Sequence, residues 1–379
     1  MKSLKMIDTE KYYGTNMIPV SEPNITEKEL EYVTDAVKST WISSTGKYID
    51  HFESVFADYI GTKHALTVSN GTVALHVALL SLGIGPGDEV IVPALTYIAT
   101  ANAVTYTGAT PVFTDSEPDT WNMYPDSIER LITQKTKAII VVHLYGHPCD
   151  MDKINSIAKR NNLYVIEDAA EAIGSEYENK KVGRFGDIAT FSFYGNKTIT
   201  TGEGGMVVTN DDELANKVQL LKGQGMSPVR RYWFDVVGYN YRLTNMQAAI
   251  GCAQMERIEE LVAKKRQVAS WYNELLADIK DITLPVEKSY AKNTYWMYSI
   301  LINSESEAER DAFMEYLSKN GIETRPFFYL MTDMMPYKNY KSDDLTIAER
   351  IAAQGVNLPS STLLEYEHIE QIVKQIRLW

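Results

Sequence analysis

The stretch from Glu89 to Glu171 constrains the fold most strongly, because apolar segments of strand type alternate there with helical ones. The strand-type segments are VIVPALTY, PVFTD, AIIVVHLYG and LYVIED. Strands that are almost continuously apolar are typical of a parallel sheet whose two faces are both covered by helices. The sequence therefore predicts an α/β fold with a mostly parallel sheet.

The pattern changes after this stretch. It predicts one long helix over 244–279, then a strand (295–302), a helix (305–318), a second strand (322–328) and two C-terminal helices. A long helix at the end of a sheet region is a natural link between two domains. We therefore expect an N-terminal segment and a large domain at 1–255, and a linking helix with a small α+β domain at 256–379.

The charge of the chain limits its partners. The 37 Lys and Arg residues are outnumbered by 50 Asp and Glu residues, which gives a formal net charge of -13. This charge argues against a nucleic-acid or membrane partner and favours small molecules. Cys149 and Cys252 have no histidine near them at ligand spacing, so we expect neither a disulfide nor a metal. Without a leader or an apolar span, the expected location is the cytoplasm.

Lys197 is the first candidate for catalysis. It follows the apolar β-type run Ile188–Tyr194, stands five residues after Ser192, and precedes the glycine-rich turn GEGG. Partial burial lowers the pKa of a lysine and frees its nitrogen for Schiff-base chemistry. A surface lysine beside a strand is the alternative.

Two further candidates lie at predicted strand ends, where parallel sheets bind their ligands. Asp168 follows the apolar run Leu163–Ile166, and a carboxylate there needs a cation or a hydrogen-bond donor. Tyr97 ends VIVPALTY, where its ring could stack on a ligand. Packing in the core would explain Tyr97 equally well.

Asn70, Gly71 and Thr72 follow the strand-like His64–Val68 and open an apolar helix. The first turn of a helix offers free N–H groups and the positive end of the helix dipole, so this one suits a phosphate. A plain helix cap is the competing interpretation, since Asn and Thr are common capping residues.

Four residues are candidates for substrate binding. Trp41 stands among small hydroxyl residues, where a buried turn is the alternative. Arg230 and Arg231 begin an aromatic and basic segment that suits an interface or an anion, or else forms a solvated loop. Arg325 suits an anion, with a surface ion pair as the alternative.

The motifs SNGT, SFYGNK with TTGEGG, EDAAEA and YNYR together resemble the DegT/DnrJ/EryC1/StrS family of sugar aminotransferases over nearly the whole chain. This resemblance implies a fold-type-I enzyme dependent on pyridoxal phosphate (PLP) and a homodimer with shared active sites. The implied roles are Lys197 for the Schiff base, Asp168 for the pyridine nitrogen, Glu171 beside the cofactor hydroxyl, Tyr97 for ring stacking, Asn70, Gly71, Thr72 and Ser192 for the phosphate, and Asn240 as a contact from the neighbouring subunit.

The resemblance also implies an activity. Glutamate would donate its amino group to the keto group of a nucleotide-linked deoxysugar, with GDP-4-keto-6-deoxymannose as the expected acceptor, for surface polysaccharide biosynthesis. A branch of the family that has histidine in place of the lysine dehydrates its sugar, and this chain keeps Lys197. The alternatives are amination of a smaller phosphorylated ketone, a PLP-dependent lyase or sugar dehydratase, and a PLP-binding regulator.

Overall fold

The structure is a computed structural model that describes residues 17–303 and 306–379. The described helices are α1 (Glu27–Lys38), α2 (Lys47–Ile60), α3 (Gly71–Ser81), α4 (Ala99–Tyr106), α5 (Pro125–Leu131), α6 (Met151–Asn161), α7 (Asp212–Lys222), α8 (Asn245–Met255), α9 (Ile258–Leu276), α10 (Glu307–Lys319), α11 (Thr346–Gln354) and α12 (Tyr366–Leu378). None of these described helices has the length and apolar character that crossing a membrane requires.

The strands divide into three sheets. They are β1 (His64–Val68), β2 (Glu89–Pro93), β3 (Thr110–Thr114), β4 (Thr136–Val142), β5 (Tyr164–Asp168), β6 (Glu176–Tyr177), β7 (Lys180–Lys181), β8 (Ile188–Ser192), β9 (Gly205–Thr209), β10 (Ile282–Thr283), β11 (Ala291–Lys292), β12 (Tyr298–Ile302), β13 (Arg325–Pro326) and β14 (Gly355–Leu358). Two of the sheets are small, with strand orders β11-β6-β7 and β10-β12-β14-β13.

The central sheet has seven strands in the order β1-β9-β8-β5-β4-β2-β3. The pairs β2–β3, β2–β4, β4–β5 and β5–β8 are parallel, and β9 runs antiparallel to both of its neighbours. One apolar core lies on each face of this sheet and includes residues of the surrounding helices. The predicted α/β class and the mostly parallel sheet are confirmed.

The C-terminal part has its own core. This third cluster joins α9, β12, α10 and α12, and the rings of Tyr272 and Tyr298 stack in it with centroids 4.5 Å apart. Tyr272 also donates a hydrogen bond from its hydroxyl to the Pro359 carbonyl, at 3.0 Å. A separate core agrees with a small C-terminal domain. The division at 255/256 stays a prediction, and residues 1–16 lie outside the described residues.

Several local predictions were wrong. The long helix over 244–279 is two helices, because Arg257 leaves helical geometry between α8 and α9 with φ -116° and ψ 8°. The strand predicted over 322–328 is only the two residues of β13, and β14 was not predicted. Tyr97 does not end a strand: β2 stops at Pro93, and Tyr97 lies in the loop before α4. Glu305, the predicted start of α10, lies outside the described residues.

Helices α2 and α8 approach each other closely at Gly251. A Cβ atom placed on Gly251 would lie 2.6 Å from the ring of Phe52, which is fully buried. Because a buried ring has little room to move, a side chain at position 251 would force the Phe52 ring or its helix to shift at a cost in stability. Glycine here is required by packing, although it is a poor helix former.

Replacement of Gly251 by alanine tests this contact. The added methyl group strains the Phe52 ring, and this cost exceeds the gain in helix propensity, so we expect a loss of about 1 to 2 kcal/mol of unfolding free energy. Urea denaturation measures it. The control is Gly195→Ala, because a Cβ there meets no atom within 4 Å. Equal stability of the two variants would contradict the packing argument.

Candidate active site

The candidate site lies at the carboxyl edge of the central sheet. Asp168 is the last residue of β5 and Ser192 the last residue of β8, and these two strands are parallel neighbours. Glu171 and Lys197 follow shortly after the same two strands. The sheet therefore brings Asp168, which the sequence predicted at a strand end, close to Lys197, whereas Tyr97 reaches the site from a loop.

Lys197 lies in a largely enclosed position, with 11% of its side chain exposed. Its Nζ atom is 3.8 Å from Glu171 Oε1 and 3.5 Å from the ring centroid of Trp296. Trp296 is fixed by a 2.7 Å hydrogen bond from its Nε1 to the Asn196 carbonyl. Burial lowers the pKa of Lys197, while the negative charges of Glu171 and Asp168 oppose this shift. The amine is therefore easier to deprotonate than an exposed lysine.

Asp168 is almost completely buried, at 5% exposure. Its Oδ2 accepts a 2.9 Å hydrogen bond from the Thr100 hydroxyl, and its Oδ1 accepts one of 3.3 Å from the Ala170 N–H. Burial raises the pKa of Asp168, against the hydrogen bonds from Thr100 and Ala170 and the positive charge of Lys197. Both carboxylate oxygens thus have a donor, as a buried carboxylate requires.

Glu171 is the second buried carboxylate, at 4% exposure. Its Oε2 accepts a 2.8 Å hydrogen bond from the N–H of Tyr145, a buried residue in the left-handed region with φ 52°. Burial raises the pKa of Glu171 to about 7, although the nearby Lys197 acts to lower it. Glu171 can therefore gain or lose a proton near neutral pH.

A third carboxylate, Glu167, lies on the opposite face of β5 and is fully buried. It accepts hydrogen bonds from the N–H groups of Gly183, Phe185 and Gly186. His143 Nε2 donates to it at 3.1 Å, because His143 Nδ1 accepts the Cys149 N–H. Burial raises the pKa of Glu167, but these donors outweigh burial and hold it below its usual range. This network braces the end of β5 behind Asp168.

The first turn of α3 lies beside Ser192. Asn70 caps this 11-residue helix, and its Oδ1 accepts the Val73 N–H at 3.0 Å. A Cβ atom on Gly71 would lie 2.8 Å from Ser192 Cβ, and one on Gly205 would lie 2.6 Å from the Asn70 carbonyl oxygen. The two glycines allow three chain segments to meet where the helix presents free N–H groups.

Aromatic residues from the C-terminal part line one side of the site. The Phe328 ring lies 5.6 Å from that of Tyr145 and 5.9 Å from that of Tyr97. Tyr97 is 58% exposed, so it stands at the rim and not in the core. Arg325, three residues before Phe328, has its guanidinium 3.5 Å from the Glu323 carboxylate.

The other predicted residues make their contacts elsewhere. The Trp41 carbonyl accepts a hydrogen bond from Asn245, and its side chain is 59% exposed. Asn240 Oδ1 accepts hydrogen bonds of 3.1 and 3.0 Å from the Arg242 guanidinium. Arg230 and Arg231 lie over the rings of their neighbours Trp233 and Tyr232, at 4.5 and 5.0 Å.

Sequence reasoning missed Thr100, Tyr145 and Trp296. Thr100 belongs to α4 and Trp296 lies about 100 residues after Lys197, so no local motif connects them to it. The glycine after Tyr145 was a weak signal of an unusual turn. Within residues 17–303 and 306–379, no group of three or more His, Cys, Asp or Glu side chains could hold a metal ion.

Comparison with known proteins gives three findings. The model of the DegT/DnrJ/EryC1/StrS aminotransferase family matches residues 23–377. The GDP-perosamine synthase of Caulobacter vibrioides is 52% identical over 94% of this chain and 96% of its own length. The GDP-perosamine synthase of Escherichia coli O157:H7 is 53% identical over 95% of this chain and 97% of its own length. A Streptococcus pneumoniae protein described as a putative sugar aminotransferase has been solved in a PLP form and a PMP form, each with 28% identity and a TM-score of 0.92. Both alignments cover 96% of this chain, together with 98% of the PLP-form chain and 97% of the PMP-form chain.

Replacement of Thr100 by valine tests the support of Asp168. The variant removes the hydroxyl donor, so we expect the pKa of Asp168 to rise further. An acid whose pKa is raised by folding stabilises the folded state less as pH increases. The unfolding free energy should therefore fall more steeply between pH 4 and 7 than in the wild type, by about 1 kcal/mol.

The control for this measurement is Thr105→Val on the same helix. The Thr105 hydroxyl contacts the Ala101 carbonyl and the Tyr337 hydroxyl instead of a carboxylate. Its removal should change stability equally at every pH in that range. Parallel pH curves for wild type and Thr100→Val would show that this hydroxyl does not act on Asp168.

Proposed function

Because the chain belongs to the DegT/DnrJ/EryC1/StrS aminotransferase family, we propose that it transfers the amino group of glutamate to the keto group of GDP-4-keto-6-deoxymannose. The chain is a PLP-dependent aminotransferase. The observation that carries the choice of acceptor is the identity of 45 to 53% to three GDP-perosamine synthases over almost the whole chain. We further propose a role in surface polysaccharide biosynthesis and a location in the cytoplasm.

The residues of the site fit PLP. Its phosphate group needs a helix N-terminus that the ligand can approach closely, and the glycines beside Asn70 and Ser192 leave such a place. Its aldehyde needs a lysine amine of lowered pKa, which Lys197 has. We assign the phosphate to Asn70, Gly71, Thr72 and Ser192, the pyridine nitrogen to Asp168, the hydroxyl side to Glu171 and the ring face to Tyr97.

PLP, when bound, supplies an electron sink for the carbanion at the donor α-carbon. Asp168, held by Thr100 and Ala170, keeps a negative charge opposite the pyridine nitrogen and so favours the protonated ring. Lys197 Nζ, as a free amine, takes the proton of the donor α-carbon. In the acceptor half-reaction the same atom gives a proton to the sugar carbon that receives the amino group. Trp296, over this nitrogen, limits the access of water.

The acceptor carries a diphosphate, which needs cations in a chain of strongly negative net charge. Arg325 is the best placed of the candidates, because β13 leads directly to Phe328 at the site. The other candidates, Trp41, Arg230 and Arg231, are exposed. We propose that they contact the nucleotide only across the interface between two subunits.

We also propose a homodimer with shared active sites. The segment 229–237 exposes several large apolar side chains to solvent, with Val229 at 92%, Val237 at 89% and Tyr232 at 73% exposure. An apolar patch of this kind is typical of an interface. Asn240 follows directly, and Tyr241 fixes this segment by accepting a 2.8 Å hydrogen bond from the Ser69 N–H. Asn240 would then reach the cofactor of the second copy.

Asp168→Asn should keep the fold and lower kcat by roughly 100-fold or more, because an amide cannot hold the ring nitrogen protonated. Stopped-flow measurement of the glutamate half-reaction gives the rate, and circular dichroism confirms folding. The exposed Asp58→Asn serves as the control and should match the wild type. Near-normal turnover of Asp168→Asn would make Asp168 a purely structural carboxylate.

Shared sites can be tested by mixing two inactive variants, Lys197→Ala and Asn240→Ala. In a mixed dimer, one site combines an intact Lys197 with an intact Asn240 from the other subunit. Random mixing should therefore restore about a quarter of wild-type activity. The control mixes Lys197→Ala with the double variant Lys197→Ala/Asn240→Ala. This mixture should stay inactive, because neither subunit has Lys197. If the first mixture also stayed inactive although mixed dimers had formed, Asn240 would act within its own subunit.

The acceptor is tested by kcat/KM for GDP-4-keto-6-deoxymannose, a UDP-linked keto-deoxysugar and a small phosphorylated ketone. We expect the GDP sugar to be strongly preferred, and Arg325→Ala to raise its KM about tenfold through loss of a charged contact. Arg160→Ala, on the exposed face of α6, is the control. Turnover of the small ketone without any product from the GDP sugar would refute this acceptor and leave the aminotransferase intact.

A further inference from the structure

Two buried carboxylates face one lysine in the site. Glu171 lies 3.8 Å from Lys197 Nζ, and Asp168 also acts on Lys197 through its charge. The other titratable groups nearby are the Tyr145 phenol, His143 behind Asp168, and Lys265. Lys265 Nζ is held by the carbonyls of Trp296 and Ser360, at 2.9 and 2.5 Å. Lys197 is thus the described cation that pairs with Glu171.

The catalytic role of Lys197 creates a charge problem. It must be a free amine to take a proton, and a neutral amine leaves Glu171 without its cation, whereas Asp168 would face the protonated ring nitrogen of bound PLP. Buried charges without a partner are strongly unfavourable, and such a group takes up a proton instead. One of the two carboxylates should therefore become neutral when Lys197 does.

The hydrogen bonds identify that carboxylate. Both oxygens of Asp168 already accept a hydrogen bond, from Thr100 and Ala170, and these donors favour the charged form. Glu171 accepts one hydrogen bond, from Tyr145 to Oε2, whereas its Oε1 faces Lys197. A proton on Oε1 would leave the bond from Tyr145 intact.

We propose that Glu171 and Lys197 share a single proton, which Glu171 Oε1 holds whenever Lys197 acts as a free amine. The two side chains first approach from 3.8 Å to hydrogen-bond distance. The proton then leaves the Lys197 ammonium, the N–H bond breaks and an O–H bond forms on Glu171, so an ion pair becomes two neutral groups. No proton has to reach the solvent through the enclosed site. The inference rests on the proposed role of Lys197.

Burial acts on both partners in the direction that this exchange requires. It lowers the pKa of Lys197 and raises the pKa of Glu171 to about 7, so that the two values approach each other. A proton moves readily between groups of similar pKa.

Infrared spectroscopy of the cofactor-free full chain tests the proposal. Lys197→Met mimics the neutral amine by removing the positive charge. At pH 8 we expect this variant to show the carbonyl band of one buried carboxylic acid that the wild type lacks. The band should disappear in Lys197→Met/Glu171→Gln and remain in Lys197→Met/Asp168→Asn. Glutamine keeps an oxygen that accepts the Tyr145 N–H, so the backbone contact is preserved.

The outcomes separate clearly. The proposal is wrong if Lys197→Met shows no acid band, or if the band is still present in Lys197→Met/Glu171→Gln. If the band is lost in Lys197→Met/Asp168→Asn, the proton belongs to Asp168. Lys197→Gln repeats the measurement with a polar side chain if the methionine variant does not fold. Lys197→Met/Glu29→Gln, altering a buried glutamate on α1, should keep the band. Since no amino transfer is measured, failure here would leave the proposed aminotransferase function standing.

Discussion

The burial of charge at the carboxyl edge of the central sheet is the constraint on which the site depends. Asp168, Glu171 and Lys197 are all withdrawn from water, and each is tolerated only because donors or an opposite charge surround it. The Thr100 hydroxyl and the Tyr145 N–H supply these donors. The same burial that is unfavourable for folding lowers the pKa of Lys197 and raises the pKa values of Asp168 and Glu171. Shifts in these directions favour proton transfer, which is most efficient for a group whose pKa lies near the working pH.

The central sheet and the C-terminal part of the chain together enclose these buried charges. The sheet positions Asp168 and Lys197, whereas Trp296 and Phe328 come from the C-terminal part and cover the lysine and the rim. Trp296 and Phe327 also belong to the apolar core on one face of the central sheet. The site is therefore assembled only when both parts have packed against each other. This requirement explains why its covering residues lie so far from the motifs in sequence.

The sequence predicts what depends on local patterns and misses what depends on packing. The parallel sheet, the capped α3 and the strand-end position of Asp168 follow from apolar runs and capping residues, and the structure agrees. The break at Arg257 was missed, because the residues around it form helices on both sides and the apolar pattern continues across it. Tyr97 was placed on a strand, since its apolar run continues four residues beyond Pro93, where β2 ends.

One side of the candidate site faces solvent in the single chain. Tyr97, proposed to stack on the cofactor, remains 58% exposed, so one chain alone leaves that side of the site open to water. The segment that carries Asn240 is attached to the first turn of α3 in its own chain, which is the proposed phosphate cradle. The attachment is the hydrogen bond from the Ser69 N–H, next to Asn70, to the Tyr241 carbonyl. In the proposed two-fold dimer, each cradle would thus hold in place the segment that closes the site of the other copy. A well-ordered cradle in one subunit would then stabilise the geometry of both active sites. This coupling is a physical reason for such an enzyme to act as a dimer.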